Sequence, residues 1–277
     1  MKPSPTTTPT TTQPKTIHRK QLNSLQIELL RTLYKFRFGT AELLSQYQEQ
    51  SLRYTNKRLQ ILFDQEYIGR NYDSSYRIKG RAASYYLLPK VIQVLKTNLE
   101  LDPKGLHLQY YSRNAKATFT NHWLRLFRIY LKLDTLFDED LDFFTSSELA
   151  TEENYPRPLP DGFLSWSGSH QSTPDCMFEL LESSTALDRL RQRVNCYMAH
   201  READEWSGEY PAILLVCDNA GLERELQRYI ARTLDYRGSR LTYYTTTIKA
   251  VLSMKDNETP IWSDVTNPEE LRAFAAL

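Results

Sequence analysis

No run of about eighteen apolar residues occurs, the length a helix needs to cross a bilayer, so no membrane span is expected. The first residues lack an apolar h-region, so no secretory signal is expected and the setting reads as cytoplasmic. Cysteine is scarce: Cys176, Cys196 and Cys217 sit inside apolar runs without paired spacing. They read as buried thiols of a reducing compartment, which excludes a disulfide framework and a structural zinc site. Only nine glycines are present, and none builds a phosphate-cradling loop or a serine-centred nucleophile elbow. His18, His107, His122, His170 and His200 fall in no metal-ligand spacing.

What is there is ordinary for a globular chain of two-domain length: 277 residues, 40% hydrophobic and 25% charged. The net charge of +1 conceals an asymmetry. Residues 1–118 carry 19 Lys and Arg against 8 Asp and Glu, a balance of +11; the remainder carries 16 against 26, a balance of −10. A basic half joined to an acidic half indicates that only the first half meets a polyanion.

Residues 1–16 are a Thr/Pro tail with almost no apolar side chains to offset ordering entropy, which predicts disorder. Residues 17–98 predict three short helices and a hairpin. Leu22, Leu25, Leu29, Leu30, Leu33 and Phe36 recur at helical spacing, with Gly39 ending the helix. Thr40 and Ser51 are placed to cap a second and a third helix. YIGRNY and SYYLL flank a turn at Asp73–Ser75 and predict the hairpin. A helix from Pro89 to about Leu99 closes the unit, and residues 99–118 read as a linker. From residue 119 to 277 one helix, Phe119–Phe137, precedes short apolar runs (GFLSW, CMFELL, AILLVC, LTYY) interleaved with two helical stretches. That order predicts an α/β domain with a central mixed sheet, ending in a helix, PEELRAFAAL.

The order of three helices and a hairpin is that of a winged helix-turn-helix, whose third helix enters the major groove. In LRYTNKRLQILFD, Leu52, Leu59, Leu62 and Phe63 are expected to face the core. Arg53, Tyr54, Asn56, Lys57 and Gln60 then project outward, residue types that suit guanine edges, adenine edges and phosphate. Arg77, Lys79 and Arg81 near the hairpin tip suit backbone phosphates. The expected partner is double-stranded DNA.

The segments LLRTLYKFRFGTAELLSQY, YTNKRLQILFDQEYIGR and YYLLP, with NHWLRLF, LPDGFLSW, FELLESSTALDRLRQRVNCY and EYPAILLVCDN further on, resemble the plasmid replication-relaxation protein family over about residues 22–235. The resemblance implies a mobile-element protein acting in plasmid replication, relaxation or mobilisation. It also implies a restriction-endonuclease-like α/β core behind the winged helix. A relaxase or replication initiator is the protein partner expected of an accessory role; repression of its own operon is a further alternative. The oligomeric state is open.

A nuclease of that fold would use Pro-Asp at one strand and Asp/Glu-x-Lys on the next, the carboxylates holding magnesium and the lysine serving the attacking water. Here Pro160-Asp161 precedes GFLSW and Glu179 lies in CMFELLES, but Leu181 stands where the lysine belongs. Relatives usually carry an acid-x-acid pair here, whereas this chain has Glu179 and Glu182, three apart, which a regular strand points to opposite faces. Arg193 and Tyr197, one helical turn apart, could support a carboxylate site, or be an exposed Arg and a core Tyr. His122 matches a histidine in the family's helix and is expected at the surface or in the core. The half therefore reads as a nuclease fold without catalysis and without cofactor. The alternative is a metal-dependent nickase using Asp161, Glu179 and Glu182, with magnesium on Asp161 and Glu179.

Overall fold

The structure, a computed structural model, describes residues 22–72, 80, 82–99 and 112–277. The Thr/Pro tail, the hairpin turn at 73–75 and most of the 99–118 segment lie outside the described residues.

Helix α1 (Ser24–Phe36) starts at Asn23, whose side chain accepts from the Gln26 N–H while the Gln26 side chain accepts from the Asn23 N–H. This reciprocal cap satisfies two of the helix's orphan donors. The helix stops at Arg37, at φ 58°, two residues before the expected Gly39. Gly39 instead belongs to a two-residue strand, β1 (Gly39–Thr40). Thr40 caps α2 (Ala41–Tyr47), and Ser51 caps α3 (Leu52–Asp64) by accepting from the Tyr54 N–H. Strands β2 (Ile68–Asn71) and β3 (Ser84–Leu87) pair antiparallel, and β1 pairs with the other edge of β3. Gly69 lies opposite Tyr86, and a Cβ there would come within 2.3 Å of the tyrosine ring; only bare backbone lets the ring lie flat across β2. Helix α4 (Val91–Leu99) closes the unit against α1.

Helix α5 (Ala117–Phe137) leads into a seven-stranded mixed sheet. In chain order the elements are β4 (Leu141–Thr145), β5 (Gly162–Trp166), β6 (Cys176–Leu181), α6 (Leu187–Glu202), β7 (Ala212–Cys217), α7 (Ala220–Arg237), β8 (Tyr243–Thr247), α8 (Ile248–Ser253), β9 (Trp262–Asp264) and β10 (Asn267–Arg272). Spatial order follows sequence order from β10 to β4; β6, β7 and β8 are parallel and the other neighbours antiparallel. Among the described residues eight α-helices accompany the two sheets, and none is long and apolar enough to cross a membrane.

Strand periodicity divides the core into two layers. Phe178, Leu180, Leu214 and Val216 join α5, Trp262 and Phe274 on one face, while Met177, Leu181, Ile213 and Leu215 meet α6 and α7 on the other. The first layer runs on without a break into the N-terminal helices. Phe36 stacks on Phe127 with ring centroids 4.1 Å apart, the Tyr34 hydroxyl donates to the Ser147 carbonyl at 3.0 Å, and the Thr145 hydroxyl donates to the Lys35 carbonyl at 2.8 Å. The helical unit and the sheet thus share one core.

Four expectations are corrected. The terminal helix is a strand, β10, followed by a short 3-10 turn at Phe274–Ala276. Leu271 is 53% exposed, so the segment has no apolar helical stripe, and its burial comes from Phe274 against Phe137, Trp166 and Trp262. Leu52 does not face the core but is exposed in the first turn of α3; Thr55 takes the buried position one turn on, and Phe63 is only half-buried. Cys176 and Cys217 are buried, while Cys196 is half-buried on α6.

Candidate functional site

Two groups of side chains stand out, one on α3 and one beneath α5. Thr55, Leu59 and Leu62 seat α3, and at helical spacing this leaves Arg53, Tyr54, Asn56, Lys57 and Gln60 exposed together. Arg53 and Lys57 enter no salt bridge among the described residues. Gln60 donates its amide to Asp64 at 2.7 Å, which fixes its orientation. On the neighbouring strand β2 the Arg70 guanidinium lies over the Phe63 ring, 4.9 Å from its centroid. Arg77, Lys79 and Arg81 lie outside the described residues.

The second group forms where β5 begins and β6 ends. Pairing between β5 and β6 stops at Gly162 opposite Phe178, so the outer half of β6 runs past its neighbour. The Asp161 side chain takes over there, accepting from the Leu180 N–H at 2.9 Å. Its other oxygen meets His122 Nε2 of α5 at 3.0 Å. His122 Nδ1 faces Glu182 at 3.8 Å, and Arg125, one turn along α5, donates to Glu182 at 2.6 Å. Glu179 points through the opposite face of the sheet. There it accepts from the Tyr197 hydroxyl and forms an ion pair with Arg193, whose guanidinium also donates to the carbonyls of Pro158 and Leu159. Arg193 is therefore largely buried, and Tyr197, fully buried, adds a polar contact to its place in the core.

The electrostatics follow from these contacts. Burial alone would lower the His122 pKa, but the Asp161 carboxylate and then Glu182 outweigh it and raise it to about 10. Burial likewise opposes ionisation of Asp161 and Glu182, yet His122 holds both below the usual carboxylate range, helped at Asp161 by the Leu180 N–H and at Glu182 by Arg125. Glu179 goes the other way: burial pushes it up to about 7 against the pull of Arg193. Glu179 in turn keeps Arg193 charged.

With its two nitrogens facing two carboxylates, His122 is an imidazolium at neutral pH and no general base. Asp161, Glu179 and Glu182 are each engaged by His122, Arg125 or Arg193, and they occupy two faces of the sheet. Among the described residues no group of three or more His, Cys, Asp and Glu is placed to hold a metal ion. This arrangement does not fit a magnesium site, which needs carboxylate oxygens converging on one point. Leu181, where a nuclease lysine would stand, is buried beside α6 and α7 and offers no proton chemistry. Sequence reasoning singled out Asp161, Glu179 and Glu182 but missed Arg125. The available signal was His122 and Arg125 three apart on a helix otherwise rich in core residues, Trp123 and Leu126 beside them.

Comparison of the chain with protein-family models, with curated proteins and with solved structures finds no match.

Proposed function

We propose that the protein binds duplex DNA as a winged helix-turn-helix protein, with α3 in the major groove and the β2–β3 ribbon beside it. The observation that carries this reading is the outer face of α3, where Arg53, Tyr54, Asn56, Lys57 and Gln60 stand exposed while Thr55, Leu59 and Leu62 anchor the helix. Arg and Lys reach guanine edges or phosphates, and Asn and Gln reach adenine edges. The basic balance of residues 1–118 supplies the long-range attraction.

The likeness to the plasmid replication-relaxation family supports a role in replication, relaxation or mobilisation of a mobile element in the cytoplasm. In this reading the α/β half has the restriction-endonuclease type of fold without its catalysis. Its acidic balance suits docking of a basic protein partner, such as a relaxase or replication initiator.

The test is fluorescence anisotropy with labelled duplexes over a range of salt. Binding weakens steeply as salt rises, and R53A/K57A both weakens it and reduces the slope by about 2, near 0.9 for each phosphate no longer neutralised. If R53A/K57A holds random and cognate duplexes as tightly as the wild type, α3 is not the reading helix. Recovery of the protein partner without any measurable duplex affinity would replace this reading by a pure docking role.

A further inference from the structure

The geometry points to a phosphate-binding cleft where α1 ends, α5 begins and the loop after β6 enters α6. The cleft has a volume of about 560 Å³, within the range of sites that take small organic ligands. Its wall draws cations from separate parts of the chain: Arg37 after α1, Lys116 at the N-cap of α5, His122 inside α5, and Arg189 in the first turn of α6. Two carboxylates, Asp161 and Glu182, face them, and both are already engaged inside the wall. Asp161 is held by His122 and the Leu180 N–H, and Glu182 by Arg125. Four cationic side chains thus line the wall beside two carboxylates that are already engaged.

The cationic groups are of two kinds. Arg37 is half-buried and fixed: its guanidinium lies 4.8 Å from the Phe119 ring centroid and 5.6 Å from that of Trp123. Its backbone sits at φ 58°, a conformation costly for a residue with a Cβ and often found where a side chain must be aimed. Lys116 and Arg189 are exposed and enter no salt bridge among the described residues. A rigid, partly desolvated guanidinium flanked by two solvated cations suits a multiply charged oxyanion better than a single carboxylate. Phe119 leaves 38% of its surface open and offers a stacking surface for an organic substituent on the phosphate. The ligand is therefore a phosphate ester, carried either on a nucleic-acid strand or on a free small molecule. The cleft is built from residues outside α3 and stands whether or not α3 reads DNA.

Inorganic pyrophosphate is the probe, titrated calorimetrically into the full chain at low ionic strength. The wild type binds it, K116A/R189A binds about tenfold or more weakly, and K116R/R189K restores binding. Because both side chains are exposed, the fold of K116A/R189A is checked by an unchanged circular dichroism spectrum and melting temperature. R53A/K57A binds pyrophosphate as the wild type does, so failure of the α3 reading and failure of the cleft are told apart. If K116A/R189A also weakens duplex binding, the phosphate belongs to nucleic acid; if duplex binding is unchanged while pyrophosphate binding falls, it belongs to a small ester. A wild type that takes up no pyrophosphate, or a K116A/R189A protein that binds it undiminished, overturns the site.

Discussion

His122 Nε2 lies 3.0 Å from Asp161 Oδ1, across 39 positions of sequence, while the other ring nitrogen of the same imidazole faces Glu182 at 3.8 Å. A neutral imidazole donates from one nitrogen only, so this double embrace is satisfied by the protonated ring. The contact fastens α5 to the start of β5 and the end of β6, and it converts three titratable groups into a fixed charge array. Both side chains of the central pair are about a fifth exposed, 21% and 19%, so solvent screens the array only in part.

The first expectation concerns that proton. In an NMR titration the His122 ring stays charged through pH 8 and loses its proton near about 10. Because the folded value lies above the unfolded one, the stabilisation from this pairing is fully present below about 6.5, the ordinary histidine value. It is lost as pH rises through the folded value. D161N removes the main partner and brings the His122 midpoint down towards the ordinary value. A wild-type His122 that titrates near neutrality would show that the contact is not an ion pair.

The second expectation concerns cooperativity. Phe36 and Phe127 stack at 4.1 Å inside a core that continues from α1 to Phe274. Truncating Phe127 removes packing on both sides of that contact and should cost about 3–5 kcal/mol. Urea unfolding of F127A and of the wild type should each show one transition, with far-ultraviolet dichroism and tryptophan fluorescence coincident. Two separated transitions would mean that the helical unit and the sheet unfold independently despite the shared layer.

What was legible in the sequence was what local rules control. Thr40 and Ser51 cap helices because an N-cap hydroxyl acts over three residues, and CMFELL and AILLVC form buried parallel strands because their apolar runs are of strand length. The strand LDFFT alternates buried and exposed along its length, yet five residues behind an acidic turn gave too short a signal to register. PEELR reads as helix from its glutamates, whereas pairing with β9 decides its state. Leu52 lies on the same helical stripe as Thr55, Leu59 and Leu62, yet as the first residue of α3 it stands exposed, so periodicity alone overstates how far the buried stripe extends. The same holds at the site. Asp161 and Glu182 were visible as acids near strands, but Arg125 is 57 positions from the carboxylate it binds, and only the packing of α5 on the sheet brings them together.

Glu179 gives a third expectation. Burial raises its carboxyl to about 7, so its ionisation costs stability as pH rises. The sign follows from proton binding: between about 4.3, the ordinary glutamate value, and the folded value the native state holds the proton more tightly than the unfolded chain. The contribution is therefore present below that window and lost on passing through about 7. E179Q keeps a hydrogen-bonding side chain of the same shape for Tyr197 but cannot ionise. Urea midpoints between pH 4.5 and 7.5 should consequently fall less with rising pH in E179Q than in the wild type. Equal pH slopes for the two proteins would show that Glu179 is ionised throughout this range, held by Arg193.

The fourth expectation is that supercoiled plasmid survives incubation with the protein in magnesium and then in manganese. Capture of a divalent cation for phosphodiester hydrolysis needs at least two carboxylate oxygens free on one face. Here Asp161 faces His122 and the Leu180 N–H, Glu182 faces Arg125, and Glu179 lies across the sheet with Arg193 and Tyr197. Releasing Glu179 would strand Arg193, 13% exposed, at a cost of several kcal/mol, roughly 3–5 for a buried pair. Releasing Asp161 would leave the largely buried His122 without its main partner, whereas Arg125, 46% exposed, stays in contact with water. Leu181 cannot activate water, and His122, already protonated, cannot take a proton from it. The balance of −10 over residues 119–277 adds repulsion towards a polyanion approaching the sheet at large. The cationic cleft beside Arg37 escapes that repulsion locally, so DNA held there would be bound without being cut. Gel analysis of the plasmid should show no relaxed or linear product above a protein-free control. Relaxed or linear product that appears with the wild type and disappears in both D161A and E179A would reverse the conclusion, because it would mean that the carboxylates exchange their cationic partners for a metal when DNA is present.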